Sequence, residues 1–313
     1  MAHKLVVTAY GEPADVVRLI EAPDPTPGPG QVVVATRAIG MNPADVKTIR
    51  GQMGADESRL PLPLGFEAAG VVTAIGEHAH SASGPISVGD DVIVYRAVGA
   101  YTDVLLADAT AVHHRPSTLD AEHAAGLLLV GVTAADLVAT AAVQPSDVVL
   151  VHGGSGAVGS IAVQLAVSVG ATVVATAGAA NQDHVAALGA TPVVYGEGLL
   201  DRVRTAATGP VTAVLDTVGT DEAIDVSLQL VDNPGKIVSV AAFGRAADGI
   251  VVLNGSTPQS KQNRAAAIDD LIADAAAGRL ATEVAKTFPL ADAPTALTEL
   301  ATTHPRGKFV LLP

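Results

Sequence analysis

The run Val148–Val149–Leu150–Val151–His152–Gly153–Gly154–Ser155–Gly156–Ala157–Val158–Gly159 limits what this chain can fold into more than any other segment. Its aliphatic start predicts a buried strand, and the apolar Ile161–Val169 after it predicts a helix. Between them Gly154, Gly156 and Gly159 fit G-x-G-x-x-G. In that pattern the first glycine permits the tight turn, the second lets backbone approach a pyrophosphate, and the third lets helix pack on strand. The helix N-terminus then offers free N–H groups and the positive end of its dipole to phosphates. The strand–loop–helix context favours a dinucleotide site over a purely structural glycine turn, and a parallel sheet with its ligand at the carboxyl ends of the strands.

The rest of the chain divides around that run. Residues 1–118 carry strand signals at Lys4–Ala9, Gln31–Gly40, Glu67–Gly76, Asp91–Tyr95 and Thr102–Ala107, with turn-rich Pro23–Gly30 and Ser81–Asp91 between them. They predict a small β-rich domain without long helices. Ala121–Ala142 reads as one helix. From there strands at Asp147–Val151, Thr172–Thr176, Thr191–Val194, Val211–Leu215, Gly235–Val240 and Gly249–Leu253 alternate with helices near 156–169, 181–188, 198–206, 221–231 and 261–277. Such alternation means βαβ units, and crossover handedness makes the sheet doubly wound. Gly170 and Gly189 fit helix C-caps. The tail carries a short strand, a helix at Asp292–Thr302 and a last strand at Lys308–Leu312, and is expected to rejoin the first domain. The expected boundaries are 1–119, 120–257 and 258–313.

Composition narrows the function classes. Of the 313 residues 49% are hydrophobic and only 3% aromatic, which suits two domains and a parallel, doubly covered sheet. A net charge of −14 argues against nucleic acid and anionic lipid as partners. Without cysteine there is no disulfide, thiolate metal site or cysteine nucleophile. Met1–Lys4 leads into a strand pattern and does not read as a signal peptide. Ala124–Val143, with Thr133 and Asp136 inside it, reads as a buried helix rather than a membrane span, so a cytoplasmic protein is expected.

Several further motifs occur in a distinctive order. They are Gly40–Met41–Asn42–Pro43–Ala44–Asp45–Val46–Lys47, Pro63–Leu64–Gly65–Phe66–Glu67–Ala68–Ala69–Gly70, Gly89–Asp90–Asp91–Val92, Gly99–Ala100–Tyr101, Gly131–Val132–Thr133–Ala134, Leu215–Asp216–Thr217–Val218–Gly219 and Arg306–Gly307–Lys308–Phe309–Val310. With the glycine loop, they make the whole chain resemble the medium-chain dehydrogenase/reductase superfamily. Within it the likeness is to the zinc-free quinone oxidoreductase group, which includes zeta-crystallin and the enone reductases. The resemblance implies an α/β chain, with a GroES-like β-rich catalytic domain plus a doubly wound Rossmann cofactor domain. Zinc-dependent relatives have cysteine where this chain has Asn42 and histidine where it has Phe66, so Glu67 alone is left and no metal is expected. His78, His80, His113 and His114 read as ordinary turn and loop histidines.

Hydride delivery without a metal needs an electron-poor acceptor, such as a quinone or an α,β-unsaturated carbonyl, and donors at the oxygen that becomes an enolate. The resemblance implies Asn42 and Thr133 beside a nicotinamide, and Lys47 where enone reductases often carry lysine. Lys47 is equally a solvated lysine after a turn, Asp45 a surface or capping acid, and Thr133 a hydroxyl satisfying a helix carbonyl. For the cofactor, Gly154, Ser155, Gly156, Ala157, Val158 and Gly159 should hold the pyrophosphate, and Val240, Ala241, Ala242 and Phe243 should lie along the nicotinamide. The second strand ends in Thr176–Asn181 without the acid expected for NAD, and Ser160 to Asp201 contains no lysine or arginine. Gly178, Asn181, Gln182 and Tyr195 remain as contacts for the adenosine end, which favours NADPH with NADH possible. Expected partners are a small quinone or enone and a second copy, with no nucleic acid and no membrane. A homodimer is expected through an edge strand at Ile250–Leu253. A hydrolase elbow fails because Gly153–Gly154–Ser155–Gly156–Ala157 lacks the last glycine. A biosynthetic enoyl reductase, a ketone reductase and a non-catalytic dinucleotide-binding protein stay open.

Overall fold

A computed structural model describes residues 1–303 and 305–313. Contacts divide the chain into two compact units, Met1–Leu129 with Ile272–Pro313, and Val130–Leu271. The first unit begins with β1 (Ala2–Val7), α1 (Pro13–Val16), β2 (Val17–Ala22), β3 (Gln31–Gly40) and α2 (Pro43–Ile49). It continues through β4 (Leu62–Pro63), β5 (Glu67–Ile75), β6 (Asp91–Tyr95), β7 (Val104–Asp108), β8 (Val112–His114) and α3 (Ala121–Ala125). One small sheet has the order β2-β1-β4. The larger sheet is built on β3, which pairs antiparallel with both β5 and β7. Val32, Val34, Ile39, Val72, Val92, Val94 and Leu105 fill its core. Each such side chain contributes about 1.5–3 kcal/mol of burial.

The second unit opens within α4 (Leu128–Ala141) and alternates β9 (Val148–His152), α5 (Ala157–Val169), β10 (Thr172–Ala177), α6 (Gln182–Ala187), β11 (Thr191–Val194) and α7 (Leu199–Ala206). Then follow β12 (Ala213–Asp216), α8 (Asp221–Leu228), β13 (Ile237–Ser239), β14 (Val251–Val252) and α9 (Pro258–Ala276). All six strands are parallel, in the order β11-β10-β9-β12-β13-β14. The order reverses beside β9, so the carboxyl end of β9 is the switch point where ligands bind in such sheets. β9 is buried at every residue, as its unbroken aliphatic run requires.

The tail adds β15 (Val284–Pro289), α10 (Ala293–Thr302) and β16 (Lys308–Leu312). β16 pairs antiparallel with β3 and parallel with β15, so the tail rejoins the first unit's sheet as the sequence predicts. Three local expectations need correction. The single helix over Ala121–Ala142 is two helices, broken after Ala125, and a Cβ on the intervening Gly126 would stand 3.1 Å from the Cγ of Lys308. β2 escaped prediction because its exposed Arg18–Glu21 stretch puts Leu19 and Ile20 on opposite faces and so shows no apolar–polar alternation. α2 lies where only a turn was read, started by Pro43 at its first helical position. No helix among the described residues is long and apolar enough to cross a membrane.

Candidate active site

In the first unit the ends of β3, α2, β5 and β16, with the loop between β6 and β7, bring five buried polar side chains together. Asn42, Asp45, Glu67, Tyr101 and Lys308 are all at most 3% exposed. Asn42 ends the β3 turn and caps α2, and Asp45 reaches back so that its Oδ2 accepts from the Asn42 backbone N–H at 2.8 Å. Asp45 is therefore a capping acid, but not a surface one. Its Oδ2 also accepts from the Tyr101 hydroxyl at 2.8 Å, while Oδ1 has no protein partner. Burial pushes the Asp45 carboxyl up to about 7, against the downward pull of the Tyr101 and Asn42 hydrogen bonds. Burial likewise raises the Tyr101 phenol, and the neighbouring Asp45 charge raises it further.

Glu67 opens β5 and is fixed on both oxygens. Oε2 accepts from the Leu129 backbone N–H at 2.9 Å, and Oε1 accepts from Asn42 Nδ2 at 3.0 Å and Lys308 Nζ at 2.9 Å. Lys308 Nζ also donates to Asn42 Oδ1 at 2.5 Å. Gly40 makes room for this cluster, since a Cβ there would meet Glu67 Oε1 at 2.7 Å. Lys47 lies exposed in the last turn of α2.

In the second unit the glycine loop joins β9 to α5. A Cβ on Gly159 would fall 2.0 Å from the Gly153 carbonyl oxygen, and one on Gly154 would fall 2.7 Å from the Ala175 Cβ. Those two glycines are required by packing inside the protein. A Cβ on Gly156 meets nothing nearer than the Gly153 oxygen at 3.4 Å, so the fold itself leaves space there. No side chain caps α5 and its first turn holds no acid. An uncapped, acid-free helix start beside open space at the middle glycine fits a pyrophosphate.

The predicted adenosine contacts gather at the end of β10. Asn181 Nδ2 donates to Ser155 Oγ at 3.4 Å, and Gln182 Nε2 donates to the Ala177 and Gly178 carbonyls at 3.0 and 3.2 Å. The Tyr195 hydroxyl lies 3.5 Å from where a Gly178 Cβ would stand, on a largely exposed side chain. The predicted nicotinamide segment is held by a buried carboxylate. Asp216 Oδ2 accepts from Ser239 Oγ at 2.5 Å, and Ser239 Oγ accepts from the backbone N–H groups of Ala241 and Ala242 at 3.0 and 2.8 Å. Val240, Ala241, Ala242 and Phe243 thus leave β13 on a fixed path. Thr133 is buried on α4.

Sequence reasoning missed the residue beneath this site, His152. Ser227 Oγ donates to the Ala223 carbonyl at 2.6 Å, so it accepts from His152 Nε2 at 3.1 Å. The ring is then the Nε2–H tautomer, with Nδ1 facing the Thr176 hydroxyl at 3.4 Å. Burial lowers His152 to about 4, although the Asp216 charge acts the other way. Lys308 and Tyr101 were noted only as parts of motifs. A lysine opening the apolar strand Phe309–Leu312 was the available signal. His113 is buried, His114 Nε2 donates to the Pro85 carbonyl at 2.8 Å, and His78 and His80 are exposed. Among the described residues no three His, Cys, Asp or Glu side chains are grouped to hold a metal ion.

Comparison with known proteins covers both units. Residues 28–117 match the family described as alcohol dehydrogenase GroES-like domain, and residues 157–264 match the family described as zinc-binding dehydrogenase. A quinone oxidoreductase of Pseudomonas aeruginosa is 30% identical, with all of both chains covered. The structure of Escherichia coli quinone oxidoreductase complexed with NADPH superposes with a TM-score of 0.84 at 26% identity, over 99% of this chain and 100% of that one. A mycobacterial protein complexed with NADPH gives a TM-score of 0.84 at 29% identity over the full length of both chains.

Proposed function

We propose a function from one established premise: the chain belongs to the medium-chain dehydrogenase/reductase superfamily, in its zinc-free quinone oxidoreductase-type group, and is an NAD(P)H-dependent oxidoreductase. The proposed reaction is NADPH-dependent transfer of a hydride to a quinone or an α,β-unsaturated carbonyl. The observation that carries the cofactor part is the space at Gly156 before an uncapped helix, which the protein's own packing does not explain. Bound NADPH would supply the hydride at C4 of its nicotinamide. Backbone N–H groups from Ser155 to Val158 would bind the pyrophosphate. Gly178, Asn181, Gln182 and Tyr195 would contact the adenosine end, where neutral donors without an acid suit a 2′-phosphate better than a free ribose diol. The Asp216–Ser239 staple would hold Val240–Phe243 rigid along the nicotinamide.

The acceptor needs donors where negative charge develops on its oxygen. Asn42 offers an amide, Lys47 an ammonium and Thr133 a hydroxyl, and these three are the proposed catalytic groups. Such donors suffice for an acceptor that is already electron-poor. Hydride would add to the β-carbon, charge would pass to the carbonyl oxygen, and a proton from water would complete the reduction. We also propose a homodimer through the β14 edge, where Val251 and Val252 are half-exposed and paired on one side only.

The test is NADPH consumption with a panel of naphthoquinone, methyl vinyl ketone and a long-chain enone. Turnover with at least one is expected, with NADPH preferred to NADH. Consumption of neither cofactor with any acceptor refutes the substrate reading.

A further inference from the structure

We propose that Lys308 and Glu67 are a positioning pair that orients the Asn42 amide and strengthens it as a hydrogen-bond donor; this deepens the reading above and rests on Asn42 meeting the acceptor. A terminal amide can sit either way round unless its neighbours choose. Here they do. Lys308 can only donate and faces Oδ1, while an ionised Glu67 can only accept and faces Nδ2. The reverse orientation would set an NH2 group against an ammonium and an oxygen against a carboxylate.

The two hydrogens on Nδ2 are then unequal. One goes to Glu67 Oε1 at 3.0 Å, a normal length. The other has only the Gly40 carbonyl oxygen at 3.4 Å, longer than a normal N–H···O bond. That weakly held hydrogen is the one the amide can give to a developing oxyanion. Donation from the Lys308 ammonium into Oδ1 polarises the amide and makes the remaining N–H a better donor, as linked hydrogen bonds reinforce each other.

A fold requirement alone does not account for the pair. Buried ion pairs are often matched or exceeded in stability by apolar side chains of similar volume. This one is nevertheless accommodated at close quarters. Gly40 clears space for Glu67, Gly126 clears space for the Lys308 stem, and the Leu129 N–H occupies the second Glu67 oxygen. The chain's geometry is arranged around keeping a positive charge on one side of Asn42 and a negative one on the other.

The experiment compares wild type, Lys308→Arg, Lys308→Met and the double variant Lys308→Met/Glu67→Gln, which removes both charges together and so avoids a lone buried ion. Far-UV circular dichroism establishes folding, NADPH fluorescence gives cofactor affinity, and steady-state kinetics use the best acceptor of the panel. Lys308→Met and the double variant are expected to lose about tenfold or more in kcat, as for a weakened oxyanion donor. NADPH affinity should stay within about twofold, and Lys308→Arg should recover most of the lost rate. The Asn42 side-chain amide resonance, assigned by its loss in Asn42→Asp, should shift in Lys308→Met. A folded double variant with kcat within about twofold of wild type overturns the proposal, and so does an unmoved Asn42 resonance. If Lys308→Met and the double variant do not fold, Lys308→Gln takes their place with the same expected kcat loss. Wild type that turns over no acceptor refutes the substrate reading instead, and the amide resonance still decides the orientation.

Discussion

Replacing His152 with glutamine should remove the contribution that this one ring makes to the pH dependence of stability. His152 is fully enclosed, neutral, and titrates at about 4 in the folded protein against 6.5 for an ordinary histidine. Between those values the unfolded chain takes up a proton that the native state refuses. Stability from keeping His152 neutral is therefore complete above pH 6.5 and is lost as pH falls toward 4. The interval from 6.5 to about 4, at about 1.4 kcal/mol per pH unit, amounts to about 3 kcal/mol. Asp45 works in the opposite sense. Its carboxyl rises to about 7 when buried, so the folded state takes up the proton first and gains stability as pH falls from about 7 toward 3.8. The two effects offset each other in wild type, so the wild-type curve alone is uninformative. Glutamine keeps a donor for Ser227 and does not titrate. Subtracting the stability of the His152→Gln variant from that of wild type cancels Asp45 and the other shared groups that do not interact with His152. Urea unfolding followed by circular dichroism at several pH values between 7 and 4 measures the difference. It should move against wild type by about 3 kcal/mol as pH falls. A difference that stays constant across that range would mean His152 is protonated in the native state, and the tautomer argument would be wrong.

Three other outcomes are expected. Gly156→Ala should fold and melt like wild type but bind NADPH at least about tenfold more weakly, because its Cβ has room in the protein and none beside a pyrophosphate; unchanged affinity in a fluorescence titration would remove the cofactor from that loop. Asp136→Ala should cost about 3–5 kcal/mol in urea unfolding, since the fully buried Asp136 accepts from Ser260, Asn263 and Arg264 and its loss strands them; a loss under about 1 kcal/mol would mean the α4–α9 clasp is dispensable. Lys47→Ala should slow enone reduction more than it weakens NADPH binding, and equal losses would show that Lys47 serves only the cofactor.

The parts legible in the sequence are those whose physical cause is local. The glycine loop could be read because turn, phosphate approach and helix packing all act within a few residues of Gly154, Gly156 and Gly159. The last strand could be read because Lys308–Leu312 carries its own apolar signal, and its bounds match the structure. What escaped depends on distant partners. The break after Ala125 falls at Gly126, and what needs its missing side chain is a lysine stem arriving from β16, which no local pattern reveals. Asp45 reads as a surface or capping acid; the capping role is local, but its burial is not legible because nothing near it in sequence reveals Tyr101 as its partner. Glu67 was weighed only as a metal ligand, since its true neighbours come from α2, α4 and β16, and no spacing rule connects them. β2 follows the same logic in reverse: an exposed edge strand held by β1 alone has no need of a buried face.

The return of β16 to β3 has a consequence for how the protein is made. A ribosome delivers Val130–Leu271 as one uninterrupted stretch, so that unit can close while later codons are still being read. The other unit must wait, because β16 pairs with β3 and carries the buried Phe309, Val310 and Leu311. Translation from the N-terminus ordinarily lets earlier domains mature first; here the earlier-born sheet is finished last. Until then the Ile39–Gly40 end of β3, beyond its pairing with β7, stays open on one side to any stray strand, and this interval is when nascent chains are most exposed to mispairing.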